Sequence, residues 1–192
     1  VPEPVVFGTI DSGTAACPVT YGAFPGEKPV LSGGRRLTGF QVTDGVWRLK
    51  LPEVAAGDWF FRSLFVNGQR AIRARTPNVG KYHHIVSKAS AIKDPATGEE
   101  KKRDRTAFVY ASGDIKPWRN FGDVDVVVYD AWATSILPIS NLDEANRVVE
   151  FATEGIWSMM GWDTRYYIEH APDALDAPGE WYLDREAGEL LY

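Results

Sequence analysis

The sequence predicts an all-β protein, and three observations support this prediction. Aromatic residues are abundant, with 7 Trp, 8 Tyr and 9 Phe, and turn formers are frequent, with 18 Gly and 12 Pro. Short apolar segments are separated by turn residues at fairly regular spacing, as in proteins built from many short strands. Residues 46–51 alternate apolar and polar side chains with a period of two, which is typical of a half-buried strand.

The predicted strands follow one another along the chain. Segments 18–24 and 29–32 end at Pro25-Gly26 and Gly33-Gly34, and the alternating segment 46–51 comes next. Asn67-Gly68 suits the positive φ values of a type I′ turn, which predicts a hairpin formed by 60–66 and 69–75. The later predicted strands are 106–111, 124–129 and a closing hairpin formed by 181–183 and 189–192.

Residues 140–153 allow two interpretations. One is a helix with Ser140 as N-cap and Glu144 early in the helix. The other is a strand to Leu142, a turn at 143–146 and a strand over 147–153. The β-branched pair Val148-Val149 and the neighbouring strands favour the second interpretation, a hairpin.

Charge, hydropathy and cysteine content exclude several classes of protein. The 192 residues carry 21 basic and 26 acidic side chains, a net charge of −5, which does not suit a nucleic-acid partner. No run of 18 apolar residues occurs, so no membrane span is predicted. The single cysteine, Cys17, forms no internal disulfide and is expected to be a small buried side chain. The chain opens at Val1 without a signal-peptide pattern, as expected of a processed or excised chain.

No motif for catalysis, metal binding or a cofactor stands out. There is no Gly-x-Ser-x-Gly elbow and no phosphate-binding loop. His83 and His84 are adjacent, so on a strand they would point to opposite faces and not share an ion. Nothing in the spacing of the acids selects a catalytic pair, and Asp123 and Asp125 are interpreted as a solvent-facing edge. The sequence therefore predicts no catalytic residues, no metal site and no cofactor.

Several segments resemble the opening part of right-handed parallel β-helix proteins like those of glycoside hydrolase family 141. They are Asp11-Ser12-Gly13-Thr14, the run 21–34, Leu64-Phe65-Val66-Asn67-Gly68-Gln69-Arg70, Arg73-Ala74-Arg75-Thr76-Pro77-Asn78, Gly113-Asp114-Ile115 with Trp118, Val126-Val127-Val128-Tyr129 with Trp132, and 165–169 with 176–185. In such proteins this stretch holds the first β-helix strands and a β-rich insertion domain, and the catalytic carboxylates belong to the β-helix that follows.

The resemblance implies a division of the chain into three parts. Residues 1–40 are expected to be opening β-helix-like strands, 41–164 an antiparallel, β-sandwich-like insertion domain, and 165–192 the strands that return towards the β-helix. A β-helix needs about three or more stacked coils for a core. The core is therefore expected to lie in the insertion domain, and the rest of the parent β-helix chain is an expected partner.

The resemblance also implies a function for the parent protein, which would be an exported, extracellular or periplasmic, polysaccharide-processing hydrolase. We expect this chain to be a non-catalytic accessory module that shapes the substrate cleft or binds glycan weakly. Two alternatives stay open at this point. One is a self-sufficient glycoside hydrolase, and the other is a purely structural or adhesive β-domain.

Aromatic residues are the best sequence signal for a polysaccharide or oligosaccharide partner. Sugars stack their C–H faces on aromatic rings, and their hydroxyls pair with polar side chains. The predicted contacts are Trp118, Arg119 and Trp132, which lie beside turn residues or after a predicted strand. For each tryptophan the competing interpretation is packing in the core. In the relatives an Arg tends to follow Trp132 by about three residues, whereas this chain has 134–137 as Thr-Ser-Ile-Leu, so a ligand contact by such an Arg is not expected here.

Overall fold

The structure is a computed structural model that describes residue 3 and residues 5–93, 96–130, 132–159 and 164–192. Its contacts divide the chain into two units, Val1–Gly39 and Phe40–Tyr192. In the described part of the first unit the only regular element is a 3₁₀ turn at Thr9–Asp11. The strands expected at 18–24 and 29–32 are absent from it.

The second unit consists mainly of strands. Among its described residues the one α-helix is α1 (Pro52–Ala55), and 3₁₀ turns lie at Phe121–Asp123 and Pro172–Ala174. The strands in its described part are β1 (Gln41–Thr43), β2 (Val46–Lys50), β3 (Phe65–Val66), β4 (Gln69–Arg70), β5 (Ile72–Arg73), β6 (Arg75–Thr76), β7 (His83–His84), β8 (Ser87–Lys88), β9 (Ile92–Lys93), β10 (Glu100–Lys101), β11 (Ala107–Val109), β12 (Asp125–Tyr129), β13 (Thr134–Asp143), β14 (Val148–Phe151), β15 (Arg165–Glu169), β16 (Glu180–Asp184) and β17 (Glu189–Leu191). The all-β prediction is confirmed.

Two sheets contain most of these strands. The smaller sheet has the order β1-β2-β17-β16-β5. Strand β5 runs parallel to β16, and the other pairs of neighbouring strands in this sheet are antiparallel. The larger sheet has the order β6-β15-β12-β13-β14-β11-β8, with β7 also paired to β15. Strands β15, β16 and β17 thus lie in the same sheets as strands from residues 41–164.

The inner face of the larger sheet forms the main core. Alternate residues of β12 and β15 point to this face, and Val126, Val128, Tyr166 and Ile168 are fully buried there. Tyr182 and Leu191 of the smaller sheet pack against the same cluster. The alternation and the contact between two sheets give the second unit a sandwich-like arrangement.

The hairpin interpretation of 140–153 is confirmed, because β13 continues to Asp143 and pairs with β14. The Asp143 carboxylate accepts hydrogen bonds from the backbone and side-chain amides of Asn146, which closes the turn. The closing hairpin is confirmed as β16 and β17. At Asn67-Gly68 both residues have the predicted positive φ, but the hairpin holds only β3 and β4, since β5 and β6 pair with strands of the two sheets.

Two smaller predictions are wrong. Cys17 is exposed and not buried. Asp125 is only 2% exposed, and Asp123 lies in the 3₁₀ turn before the strand, so the two do not form a solvent-facing strand edge.

Candidate functional site

A cavity of about 200 Å³ opens beside the first residue of β12, where the outer face of the larger sheet meets loops from elsewhere in the chain. We call it the arginine pocket, because three guanidinium groups line it. Its lining consists of Phe60, Phe61, Arg62, Arg73, Gly122, Asp123, Asp125, Pro138, His170, Leu183 and Arg185. These residues come from both sheets and from the loops between them.

The buried carboxylate of Asp125 is the centre of the ion pairs on one side of the pocket. Its Oδ2 atom accepts hydrogen bonds from Arg62 Nη2 at 2.6 Å and Arg73 Nη1 at 2.5 Å. The same Arg73 nitrogen lies 3.3 Å from Glu169 Oε2. The Arg73 side chain is only 10% exposed, whereas Arg62 is about half exposed. Arg73 therefore belongs to the framework of the pocket, and Arg62 lies at its mouth.

A second ion pair lies on the opposite side. Arg185 Nη1 donates to Asp123 Oδ1 at 2.5 Å. The Arg185 guanidinium also covers one face of the Phe60 ring, with its carbon 4.3 Å from the ring centre, an arrangement that cation–π attraction stabilises. Phe60 itself is 49% exposed, so part of its ring remains accessible beside the pocket.

His170 forms the floor of the pocket. Leu183 N donates to its Nε2 at 3.2 Å, so Nδ1 carries the proton and donates to the carbonyl of Asp123 at 3.1 Å. Burial and the nearby charge of Arg73 lower the pKa of His170 to about 4. The imidazole is therefore neutral above that pH and fixes the relative positions of two loops and β16.

Trp118 lies in a separate open groove of about 290 Å³ with Phe121 and residues 140–142 of β13. Its indole N–H donates to Asp173 Oδ1 at 2.5 Å, and Lys116 Nζ lies 2.6 Å from Asp173 Oδ2. Burial opposes the ionisation of Asp173, but these two hydrogen bonds outweigh it and lower the pKa of the carboxyl. Trp118 also packs against the core, which agrees with the competing interpretation of this tryptophan, and its contact with a sugar stays a prediction.

Arg119 holds a second carboxylate near the same loop. It forms a short ion pair with Asp184, whose side chain is nearly buried. Burial raises the pKa of Asp184, but the hydrogen bonds from Arg119 and from the backbone N–H of Ala187 more than compensate and lower it. The Arg119 side chain is about half exposed, and its Nη1 atom lies 3.6 Å from Oε2 of the exposed Glu186.

Trp132 lies far from the other two predicted contacts. Trp132 follows β12, whereas Trp118 and Arg119 precede that strand. Because the two ends of a five-residue strand are roughly 15 Å apart, Trp132 lies at the opposite end of β12 from the other two residues. Trp132 is 88% exposed. The structure therefore brings Trp118 and Arg119 together and leaves Trp132 as an isolated exposed ring.

Tyrosine rings cover the outer face of the larger sheet between the two ends of β12. Tyr82, Tyr129 and Tyr167 have ring centres 5.5 to 6.4 Å apart. The Arg75 guanidinium lies 3.5 Å from the centre of the Tyr167 ring and donates to two backbone carbonyls, and Arg165 lies 4.6 Å from that of Tyr82. Arg75 and Arg165 are thus held by partners within the domain.

Sequence reasoning missed the arginine pocket. Its ion pairs join residues 52 to 96 positions apart, which no local pattern reports. The available signal is the unusual run Trp59-Phe60-Phe61-Arg62 after a helix, a concentration of aromatic residues next to a cation. Within the described ranges, the arginine pocket included, no group of three His, Cys, Asp or Glu side chains could hold a metal ion. No helix there is long and apolar enough to cross a membrane.

Three comparisons with known proteins were made, and two of them give a match. A solved structure described as "Glycoside hydrolase" is similar in fold, with a TM-score of 0.61 and 23% identity over 87% of this chain. The match spans only 29% of that protein's own chain. A comparison with curated proteins finds no match. The family model of the GH141 insertion domain matches residues 44–192, nearly the whole of the second unit. This chain therefore belongs to the GH141 insertion-domain family.

Proposed function

We propose that this chain is a non-catalytic accessory module of a larger, exported polysaccharide-processing protein. In that protein it shapes one wall of the substrate cleft or binds glycan weakly. The observation that carries the proposal is the pairing of described carboxylates with cations: Asp123 and Asp125 bind guanidinium groups in the arginine pocket, and Asp173 and Asp184 bind Lys116 and Arg119. Such pairing supports a structural role for these acids.

Glycoside hydrolysis normally uses two carboxyl groups on either side of the scissile bond, one of them protonated. In the arginine pocket, Asp123 and Asp125 are each bound to guanidinium groups. Among the described residues, Asp130 and Glu180 have their pKa raised by burial. Asp130 follows β12 and Glu180 begins β16, so they belong to different sheets, and Glu180 is only 2% exposed. The backbone amides of Asp176 and Ala177 both donate to the Glu180 carboxylate, which gives this acid a role in holding the turn before β16.

Weak glycan contact is supported by the predicted residues. Trp132 presents a whole exposed ring at one end of β12, and Trp118 with Arg119 borders an open groove at the other. An exposed indole supplies a flat surface for the C–H face of a sugar, and the half-exposed guanidinium of Arg119, which has five N–H donors, can also donate to sugar hydroxyls.

The first unit supports the expected partnership with a β-helix chain. Its large apolar side chains are exposed, including Val6, Ile10, Phe24, Val30 and Leu31. Such a concentration of exposed apolar residues is typical of a surface that another element covers. The stacked coils of the parent β-helix are the partner that these residues would fit.

Affinity electrophoresis in gels containing neutral plant polysaccharides tests the glycan contact. We expect retardation of the wild-type chain and loss of most of it in Trp132→Ala or Trp118→Ala. Trp47→Ala, which removes a half-exposed tryptophan from the smaller sheet, is the matched control and should migrate like the wild type. Release of product from aryl glycosides by this chain alone would instead favour a self-sufficient hydrolase. The absence of both retardation and turnover would favour a structural module.

A further inference from the structure

The charges of the arginine pocket are paired. Of its three guanidinium groups, those of Arg62 and Arg185 bind Asp125 and Asp123, and that of Arg73 binds Asp125 and also Glu169, which lies outside the lining and brings the numbers of cations and carboxylates to three each. His170 adds no charge near neutral pH, because its Nε2 atom is an acceptor. A ligand bearing a carboxylate or sulfate would meet these acids, whereas an uncharged ligand meets both donors and acceptors without net repulsion.

The polar groups at the mouth of the pocket retain hydrogen-bonding capacity. A guanidinium has five N–H donors, and Arg62 and Arg185 each donate one to a carboxylate in the described structure. Both side chains are partly exposed. The Oδ2 atom of Asp123 has no partner among the described residues, since Arg185 binds the other oxygen. Two neighbouring hydroxyls of a sugar could therefore accept a hydrogen bond from an arginine and donate one to Asp123 at the same time.

Phe60 gives the pocket an apolar surface next to these polar groups. One face of its ring is covered by Arg185, and about half of the side chain remains exposed. The cavity, at about 200 Å³, is smaller than the roughly 300 Å³ at which pockets for drug-sized ligands begin. Its size suits one sugar ring and not a longer segment of a chain.

We infer that the arginine pocket is a subsite for one neutral pyranose residue of a glycan, which stacks on Phe60 and pairs its hydroxyls with Arg62, Arg185 and Asp123. The inference rests on the proposed glycan contact and assigns it a place and a class of sugar. Arg73, Asp125 and His170 are positioning residues, because they are buried and hold the groups at the mouth.

Ligand-observed NMR and titration calorimetry on the full 192-residue chain test this inference. The probes are cellohexaose, xylohexaose and mannohexaose as neutral chains, and tetragalacturonate as an acidic one. We expect at least one neutral chain to bind and tetragalacturonate to bind more weakly. Phe60→Ala should weaken the neutral interaction by about tenfold, as removal of a central aromatic contact does. Phe60→Tyr, which keeps the ring, should retain it.

Phe65→Ala is the matched control, because Phe65 is also an exposed phenylalanine but lies on the β3 hairpin outside the pocket lining. Its affinity should equal that of the wild type, and circular dichroism checks that every variant is folded. Binding unchanged in Phe60→Ala and lost in Trp132→Ala would overturn the subsite and leave the accessory function standing. Preference for tetragalacturonate would overturn the neutral-sugar assignment. Binding of none of the four chains would contradict the proposed glycan contact itself.

Discussion

His170 combines an unusual backbone position with a buried ring. Its φ of 66° lies in the left-handed region, and its two ring nitrogens are both used in hydrogen bonds. Left-handed residues other than glycine persist where surrounding contacts hold them. Here the contacts are the carbonyl of Asp123 and the amide of Leu183, which belong to a loop and to β16.

Acid should destabilise the domain through this residue. The pKa of His170 is about 4 in the folded chain against 6.5 for an unperturbed histidine, so the unfolded state binds the proton first as pH falls. The stabilisation is complete above about pH 6.5 and is lost between pH 6.5 and 4. One pKa unit corresponds to about 1.4 kcal/mol, so the loss is at most about 3 kcal/mol.

Urea denaturation of the wild type and His170→Asn measures this effect. Asparagine tolerates the left-handed backbone but has no proton to gain. The variant should be less stable at pH 7, and the difference in unfolding free energy should shrink towards pH 4. A difference that is independent of pH would contradict a buried neutral histidine. Because both proteins contain the same carboxyl groups, the contributions of these groups to the pH dependence cancel in the difference between the two unfolding free energies.

At this scale the sequence predicts exposure and pairing poorly. Trp132 follows a predicted strand, but its exposure could not be told from packing in the core, and nothing near Asp125 in the sequence indicates its two guanidinium partners. Such pairs depend on which loops meet over the sheet, and that is decided by the packing of the whole domain.

Glycines with positive φ close two turns of different tightness. Gly68, with φ of 78°, closes the β3–β4 turn, and a Cβ atom there would meet open space. Gly188, with φ of 56°, lies between β16 and β17, where a Cβ atom would approach the carbonyl oxygen of Leu51 to 2.7 Å and Cβ of Ala55 to 2.9 Å. The second turn thus packs against α1, and the first does not.

Alanine substitutions should separate these two effects. Gly68→Ala carries only the backbone strain and should reduce the unfolding free energy by about 1 kcal/mol. Gly188→Ala adds overlap with the backbone of Leu51 and should reduce it by about 3 kcal/mol. Thermal and urea unfolding of the two variants measure the difference. Equal losses would mean that α1 moves away from the turn without penalty.

At the scale of elements, prediction succeeded where a local pattern is sufficient. The alternation over 46–51 and the Asn-Gly turn both specify backbone geometry through neighbouring residues. The length of the hairpin at 60–75 was wrong, because the chain leaves it after β4 to pair with one sheet through β5 and with the other through β6. Those partners lie about 100 residues away in sequence.

The two units of the whole molecule should differ in stability. Most contacts of the second unit are internal, and its core lies between its own two sheets. A chain beginning at Phe40 should therefore keep the β-type circular dichroism spectrum and a cooperative thermal transition within a few degrees of the full chain. Loss of the transition in the shortened chain would show that residues 1–39 contribute to the core.

The overall class was predictable from composition because turn residues and aromatic residues are spread along the whole chain. The sheet order was not, since strand pairing depends on contacts between distant segments. Residues 1–39 show that a strand-like pattern alone does not produce a paired strand. Their apolar pattern is that of strands, but a pattern without a neighbouring strand specifies no hydrogen bonds.

The place of β17 in the smaller sheet has a consequence for biosynthesis. It lies between β2 and β16, so residues 46–50 cannot complete their pairing until residues 189–191 have left the ribosome. The nascent chain must carry β2 with one open edge until β17 is available, and such edges invite pairing with other chains. Folding of this domain is therefore expected to be slow, because it waits for a strand about 140 residues further along the chain, with chaperones protecting the open edge in the meantime.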